Sequence, residues 1–258
     1  MRQTHSQSVE TMSEIVAEQG GDVIFAIDKT TEKLLLDFCE KELYPEFEFV
    51  LIAEGLPEDA KKLFSKKCHA GEVPYRIIVD PIDGTRLLMY DKRSAWILTG
   101  VAENRGEATS LRDIFFAMQT EIPTRKQTLA DTLWAYCDRP AEAIRENLAT
   151  GETTSFTPAP SRAKTLDQGF ASFVHFFHGS KEVLSRIDEA LCQKLYGEIK
   201  SGQAWTFEDQ YMSTGGQIYE LATGRDRLIV DLRAFAGKLL QNETGLCCHP
   251  YDICTELI

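Results

Sequence analysis

Two hydrophobic periods alternate along the chain. Short apolar or alternating runs predict strands, whereas apolar residues spaced three or four positions apart predict helices. The predicted strands are Val23–Ile27, Phe47–Ala53, Tyr75–Val79, Ala95–Ala102, Ile114–Thr120, Phe170–Phe177 and Leu228–Leu232. Four of the predicted helices are Glu10–Gln19, Pro57–Phe64, Lys181–Leu195 and Gln210–Thr223. A fifth is capped at Thr30 or Thr31 and is ended by Pro45. This alternation favours a layered α/β or α+β architecture with two lobes.

One segment between these elements has the composition of a linker. Gly151–Lys164 is rich in Thr, Ser and Pro, which favour turns and loops. We therefore expect an N-terminal lobe over residues 1–164 and a C-terminal lobe over residues 165–258. The length of 258 residues agrees with one or two domains of ordinary size.

The balance of charge narrows the class of partner. The chain has 28 basic and 40 acidic side chains, a formal net charge of −12, in an otherwise ordinary globular composition. A surface this acidic repels nucleic acid and anionic membranes, so we expect neither as a partner. It suits a protein whose carboxylates surround divalent cations.

The sequence predicts a cytoplasmic protein. No apolar run approaches the roughly 18 residues of a membrane helix, and Met1–Ser6 does not begin an apolar signal region. The seven cysteines are an odd number and form no CxxC pair, which argues for a reducing compartment without a disulfide framework.

The most informative chemistry lies in the segment Asp80-Pro-Ile-Asp-Gly-Thr85. It follows an apolar strand, and we expect Pro81 to end the sheet pairing and Gly84 to permit a tight turn. Asp80 and Asp83 are then held close together, where like charges repel unless a cation neutralises them. Such oxygen ligands suit Mg²⁺, and a helix beginning after the turn would offer N–H groups to a phosphate. A capped helix start with a solvated aspartate pair explains the same residues.

By this hexapeptide the chain resembles the inositol monophosphatase-like phosphatases, which are Mg²⁺-dependent, lithium-sensitive and share a fold with fructose-1,6-bisphosphatase. Upstream, Phe49-Val-Leu-Ile-Ala-Glu54-Gly resembles the family strand that ends in a metal-binding glutamate, although Ala53 and Gly55 remove the family's second acid. Ala26-Ile27-Asp28-Lys29 resembles the family's Thr-x-x-Asp, whose aspartate supports the catalytic threonine. The resemblance implies a layered α-β-α-β-α sandwich of the fructose-1,6-bisphosphatase and inositol monophosphatase type.

Two segments compete for the family's third metal carboxylate, which lies in Trp-Asp-x-Ala-Ala/Gly. His249-Pro-Tyr-Asp252-Ile-Cys254 resembles this motif, and Asp209 lies in a second acidic segment after Trp205. Glu220–Asp231 resembles the family segment that precedes the metal aspartate, and this register favours Asp252. On the same register the residues expected to bind substrate are Asp231, Ser213 and Thr214.

The resemblance implies hydrolysis of a small phosphate monoester, such as inositol monophosphate or a similar sugar or polyol phosphate, by in-line attack of a Mg²⁺-activated water. Two or three Mg²⁺ ions are expected, with Mn²⁺ as a substitute and Li⁺ as an inhibitor. The implied metal ligands are Glu54, Asp80, the carbonyl of Ile82, Asp83 and Asp252. The implied catalytic residues are Thr85, Glu54 and Asp28, and the phosphate-binding residues are Gly84 and Thr85. A homodimer is implied as well, and so is a C-terminal lobe that is incomplete here, since the family continues past the aspartate.

The substrate stays open at this stage. Arg86, Lys92 and Arg93 could hold a second anionic group, which makes a 3′-phosphoadenosine 5′-phosphate or sugar bisphosphate phosphatase an alternative. Arg86 is the favoured residue, because Lys92 and Arg93 are better explained as solvated turn residues. An inactive metal-binding homologue is a further alternative, motivated by the missing second acid and the short C-terminus.

Overall fold

The computed structural model describes residues 15–19, 22–56, 62–66, 69–198, 202, 204–240 and 248–258. The strands are β1 (Ile15–Gln19), β2 (Asp22–Phe25), β3 (Phe49–Ala53), β4 (Lys62–Phe64), β5 (Tyr75–Asp83), β6 (Ala95–Glu103), β7 (Ile114–Ile122), β8 (Leu129–Tyr136), β9 (Glu142–Asn147), β10 (Thr153–Phe156), β11 (Phe170–Phe173) and β12 (Asp226–Val230). The helices are α1 (Ala26–Phe38), α2 (Thr85–Met89), α3 (Lys181–Tyr196), α4 (Thr214–Ala222) and α5 (Arg233–Leu239), and a π-helical segment, Cys39–Leu43, extends α1.

The largest element of the fold is an eight-stranded sheet in the order β10-β9-β8-β7-β6-β5-β3-β4. Its neighbouring strands are antiparallel except for β3 and β5, which are parallel. Buried and partly exposed residues alternate along β6 and β8, so successive side chains point to opposite faces of the sheet. Each face can therefore carry its own layer of helix.

The helices divide between these two faces. Leu35 and Leu36 of α1 pack against Phe49 and Leu51 of β3 in one core cluster. On the opposite face, Trp96 and Leu98 of β6 share a core cluster with Tyr219 and Ala222 of α4. A second, parallel sheet of β11 and β12 contacts α4, and α3 contacts β11. The resulting order is α1, large sheet, α4, small sheet, α3, which confirms the predicted α-β-α-β-α arrangement.

Three predictions of local structure are wrong. The described part of the predicted helix Glu10–Gln19 is strand β1, which pairs with β2. In the predicted helix Pro57–Phe64, residues 57–61 lie outside the described residues and the rest is strand β4 on the sheet edge. Strand β10 lies inside the predicted linker Gly151–Lys164 and pairs with β9. In each case a neighbouring strand supplies backbone partners that override the local preference.

Other features agree with the sequence or extend it. The remaining predicted strands and helices are present with shifted ends. Helix α2 begins after the Gly84 turn, where the sequence suggested a helix start, whereas β8, β9 and α5 were not predicted. The five cysteines that the structure describes, Cys39, Cys137, Cys192, Cys248 and Cys254, are free thiols. Among the helices of the described residues, none has the length and apolar character needed to cross a membrane.

Candidate metal centre

The centre begins at the carboxyl end of β5. Asp80 and Asp83 pair with residues of β6 that are only two positions apart, so a bulge lies between the two aspartates. The Ile82 N–H donates to Asp80 Oδ1 at 2.9 Å inside this bulge. The expectation that Pro81 ends the sheet pairing is therefore wrong. The bulge takes Pro81, which has no N–H, out of the ladder, and pairing resumes at Asp83.

A glycine turn connects β5 to α2. Gly84 has a φ of +93°, and a Cβ there would lie 3.1 Å from the Cβ of Ser213, so a side chain would be both strained and crowded. The next residue, Thr85, has its Oγ1 3.1 Å from Asp28 Oδ1 and 2.9 Å from the carbonyl oxygen of Ile82. Helix α1 thus brings Asp28 to Thr85 across 57 residues of sequence.

The N-terminus of α4 holds Asp83 from the other side. Ser213 Oγ donates to Asp83 Oδ2 at 2.7 Å and accepts from the Gly216 N–H at 2.9 Å. The Gly215 N–H donates to the same Asp83 oxygen at 2.5 Å. Helix N-termini carry partial positive charge, so these donors fix one carboxylate oxygen of Asp83 and stabilise its ionised form.

The third carboxylate of the cluster is Asp252. Asp80, Asp83 and Asp252 each offer a carboxylate oxygen, and these oxygens lie within 4.8 Å of one another. The His249 N–H donates to Asp252 Oδ2 at 2.7 Å and fixes its position. Asp209 instead forms an ion pair with Arg93. The structure therefore brings Asp252, and not Asp209, to the aspartate pair.

The electrostatics of this cluster favour a bound cation. Asp80 is only 2% exposed, and its pKa is raised well above the usual range by burial and by the charges of Glu54, Asp83 and Asp252. Burial and Asp252 raise the pKa of Asp83 to about 7, although hydrogen bonds from Ser213, Gly215 and Thr214 act in the opposite direction. Buried, oxygen-only groups that repel one another match the ligand set that a hard divalent cation prefers.

The cluster opens into a cleft of about 110 Å³. The cleft is lined by most of the site residues expected from the sequence, namely Asp28, Glu54, Asp80, Ile82, Asp83, Gly84, Thr85, Arg86, Ser213, Thr214 and Asp252. Asp231 is not among the lining residues. Its carboxylate accepts hydrogen bonds from Arg233, which does line the cleft.

Sequence reasoning missed the other residues of the cleft, which are Phe176, Phe177, Met212, Arg233 and His249. Phe176, Phe177, Met212 and Arg233 belong to no motif whose spacing indicates chemistry. His249 begins the motif that contains Asp252, but the sequence suggested no role for it. The nearest available signal for Arg233 was its position two residues after Asp231.

The basic residues considered for a second anion have different environments. The Arg93 guanidinium binds Asp209 and Glu220 and lies 3.6 Å from the centre of the Tyr211 ring. Arg93 therefore forms ion pairs and packs beside α4, and the expectation that it is a solvated turn residue is wrong. Lys92 does not line the cleft, whereas Arg86 does.

Several solved structures share this fold at low sequence identity. A Ca²⁺-bound inositol monophosphatase family protein from Staphylococcus aureus is 14% identical, with a TM-score of 0.59 over 99% of this chain and 73% of that chain. Extragenic suppressor protein SuhB from Bartonella henselae is 15% identical, with a TM-score of 0.56 over 94% of this chain and 78% of that chain. Fructose-1,6-bisphosphatase from Leishmania major is 13% identical, with a TM-score of 0.56 over 86% of this chain and 66% of that chain.

These alignments show the fold. The chain has the layered fold of the inositol monophosphatase and fructose-1,6-bisphosphatase structures, as its motifs implied. It spans 66% to 78% of the length of these three structures. No family model and no curated protein sequence matches the chain.

Proposed function

We propose that this protein is a metal-dependent phosphatase that hydrolyses a small phosphate monoester, such as an inositol monophosphate or a similar sugar or polyol phosphate. The observation that carries the proposal is the cluster of Asp80, Asp83 and Asp252, which shares a cleft with the Thr85–Asp28 pair. Structures with the same fold include a staphylococcal inositol monophosphatase soaked with LiCl and a dual-specific phosphatase bound to D-inositol-1-phosphate.

The carboxylates of the cleft would hold the metal. Glu54, Asp80, Asp83, Asp252 and the carbonyl of Ile82 are the ligands that we assign to two or three Mg²⁺ ions, with Mn²⁺ as a substitute and Li⁺ as an inhibitor. A Mg²⁺ ion held by these ligands would act as a Lewis acid, which would lower the pKa of a coordinated water and offset the charge of the phosphate. The raised pKa values of Asp80 and Asp83 support this assignment, because ionising both groups requires a compensating cation.

The hydroxyl of Thr85 has a defined role in this proposal. Its single proton is directed to Asp28 or to the Ile82 carbonyl, so its oxygen is left as an acceptor for a proton of the attacking water. Glu54 is the second group that we assign to deprotonating this water. The backbone N–H groups of Gly84 and Thr85 would bind the phosphate.

Other side chains have positions that refine their proposed roles. Ser213 is engaged with Asp83, so we assign it to positioning that ligand, while Arg86 and Thr214 line the cleft as substrate contacts. Asp231 acts on the cleft through Arg233. The cytoplasmic location, the homodimer and the division into two lobes stay predictions.

The test combines turnover with metal binding. We expect Mg²⁺-dependent release of phosphate from myo-inositol 1-phosphate that is abolished by a chelator. Asp83→Asn should lower kcat/KM and weaken Mn²⁺ binding in a calorimetric titration, each by about a hundredfold or more, because it removes a metal ligand. Asp138→Asn is the matched control, since the Asp138 side chain is 70% exposed, and it should change neither quantity.

Two results would contradict the proposal. Unchanged turnover in Asp83→Asn would mean that the carboxylate cluster is not the reaction centre. Tight Mn²⁺ binding with no hydrolysis of any small phosphate monoester would support an inactive metal-binding protein instead.

A further inference from the structure

One arginine is fixed in the wall of the cleft. Arg233 begins α5, and its side chain is only 9% exposed. Its Nε donates to Asp231 at 3.0 Å, and its Nη2 donates to Asp231 at 2.6 Å and to Cys248 Sγ at 3.3 Å. Burial alone would lower the pKa of Arg233, but the hydrogen bonds that it donates to Asp231 and the charge of that carboxylate raise it. The guanidinium is therefore charged and held in one orientation before any ligand arrives.

Two aromatic rings and a thiol set the position of this guanidinium. It lies 4.8 Å from the centre of the Phe176 ring and 5.7 Å from that of Phe177, and all three side chains line the cleft. Cys248 Sγ also contacts Thr214 Oγ1 at 3.7 Å, and Thr214 begins the helix whose N-terminus holds Asp83. Arg233 is thus tied, through Cys248 and Thr214, to the element that positions a metal ligand.

The pattern of contacts leaves one edge of the guanidinium for a ligand. The described residues accept hydrogen bonds from its Nε and Nη2, and none of them accepts one from Nη1. Asp231 offsets much of the charge, so the contribution of Arg233 is a directed donor rather than long-range attraction. A preoriented guanidinium suits the oxygens of phosphate and carboxylate groups.

We propose that Arg233 is a specificity-determining residue that binds a second phosphate group of the substrate, while the reacting phosphate lies at the carboxylate cluster. This inference rests on the phosphatase function proposed above. It assigns the second anion to a residue outside the sequence motifs, whereas Arg93 is occupied by its own acids.

The test compares substrates with one and two anionic groups. The substrates are myo-inositol 1-phosphate, fructose 1,6-bisphosphate and adenosine 3′,5′-bisphosphate, the last two separating a sugar source from a nucleotide source. Arg233→Gln should raise KM about tenfold or more for the preferred bisphosphate. The KM for inositol 1-phosphate should rise much less, because that substrate has no second anionic group for Arg233 to bind. Arg233→Lys keeps the charge but loses the fork, so its KM should lie between those of the wild type and Arg233→Gln.

The controls separate failure of this inference from failure of the proposed function. Arg186→Gln removes an arginine whose side chain is 78% exposed and should behave as the wild type. Hydrolysis of no phosphate ester by the wild type would overturn both claims. If the wild type is active but Arg233→Gln changes KM equally for all three substrates, or changes it for none of them, only the role of Arg233 is overturned. If Arg233→Gln does not fold, Arg233→Lys decides the question. A KM increase restricted to the bisphosphates would support the role of Arg233, and an increase that is equal for all three substrates would contradict it.

Discussion

At the scale of the residue, the neighbours of a buried acid distinguish a candidate metal ligand from a structural residue. Asp131 is 2% exposed, and it accepts two hydrogen bonds from Arg145 and one from the Tyr219 hydroxyl. Asp80 is buried to the same degree but faces other carboxylates. Breaking a buried pair of acid and base destabilises a fold, whereas buried acids grouped together repel one another until a cation or a proton neutralises them.

This contrast predicts opposite effects of the same substitution in the metal-free protein. At pH 8 with a chelator present, Asp83→Asn should raise the melting temperature, because it removes a carboxylate that repels Asp252. Asp131→Asn should lower stability by about 1–3 kcal/mol, because it weakens charge-assisted hydrogen bonds to Arg145. Thermal unfolding of both variants measures the difference. A loss of stability in both would show that Asp83 is not under repulsion.

Burial and this repulsion together make the stability of the metal-free protein depend on pH. Asp83 has its pKa raised to about 7 in the folded protein, above the usual value near 4 of an unfolded chain. Its contribution to stability is therefore complete below about pH 4 and is lost as the pH rises through about 7. The gain from Asp83→Asn should be larger at pH 8 than at pH 5, and an equal gain at both would contradict the assigned cause.

Some residues of the site could be predicted from the sequence, and others could not. Asp80, Asp83 and Thr85 lie in one short segment whose local chemistry suggests a metal. Asp252 could be chosen over Asp209 only by resemblance, because nothing local distinguishes the two acids. Arg233 and Phe176 enter the cleft through packing between distant segments, for which hydrophobic periodicity gives no signal.

At the scale of the element, α4 connects the core to the centre through its first turn. A Cβ on Gly215 would lie 2.5 Å from Leu98 Cδ2 and 3.1 Å from Asp83 Oδ2, and one on Gly216 would lie 2.3 Å from the Tyr211 ring. Gly215 allows the helix to approach β6 closely, and Gly216 leaves room for the Tyr211 ring. The sequence suggested a helix from Gln210, but the Ser213 cap and this close packing make it begin at Thr214.

Closing this space should therefore disturb both stability and metal binding. Gly215→Ala should cost about 1–3 kcal/mol through overpacking and should weaken Mn²⁺ binding by displacing Asp83. Gly71→Ala is the matched control, because a Cβ there has no neighbour within 4 Å, and it should change stability by no more than about 0.5 kcal/mol. Urea unfolding and Mn²⁺ titration give the two readouts. Equal behaviour of the two variants would mean that the α4 contact does not position the ligand.

At the scale of the whole molecule, the carboxylate centre and the largest core join the two predicted lobes. The core cluster contains Trp96 and Leu133 from the large sheet together with Tyr211 and Tyr219 from the C-terminal part of the chain. Trp96 Nε1 donates to the Tyr211 hydroxyl at 2.9 Å, and the Tyr219 hydroxyl donates to Asp131 at 2.6 Å. Neither lobe can lose its packing without exposing the core of the other.

This shared core predicts cooperative unfolding. With urea, the transitions followed by far-UV circular dichroism and by tryptophan fluorescence should coincide, as expected for a two-state process. Tyr219→Phe, which removes only the hydroxyl bonded to Asp131, should shift both transitions to lower urea by the same amount. Trp205 reports on the C-terminal part and Trp96 on the sheet, so single-tryptophan variants can follow each part separately. Two separated midpoints would show instead that residues 1–164 and 165–258 unfold as independent domains.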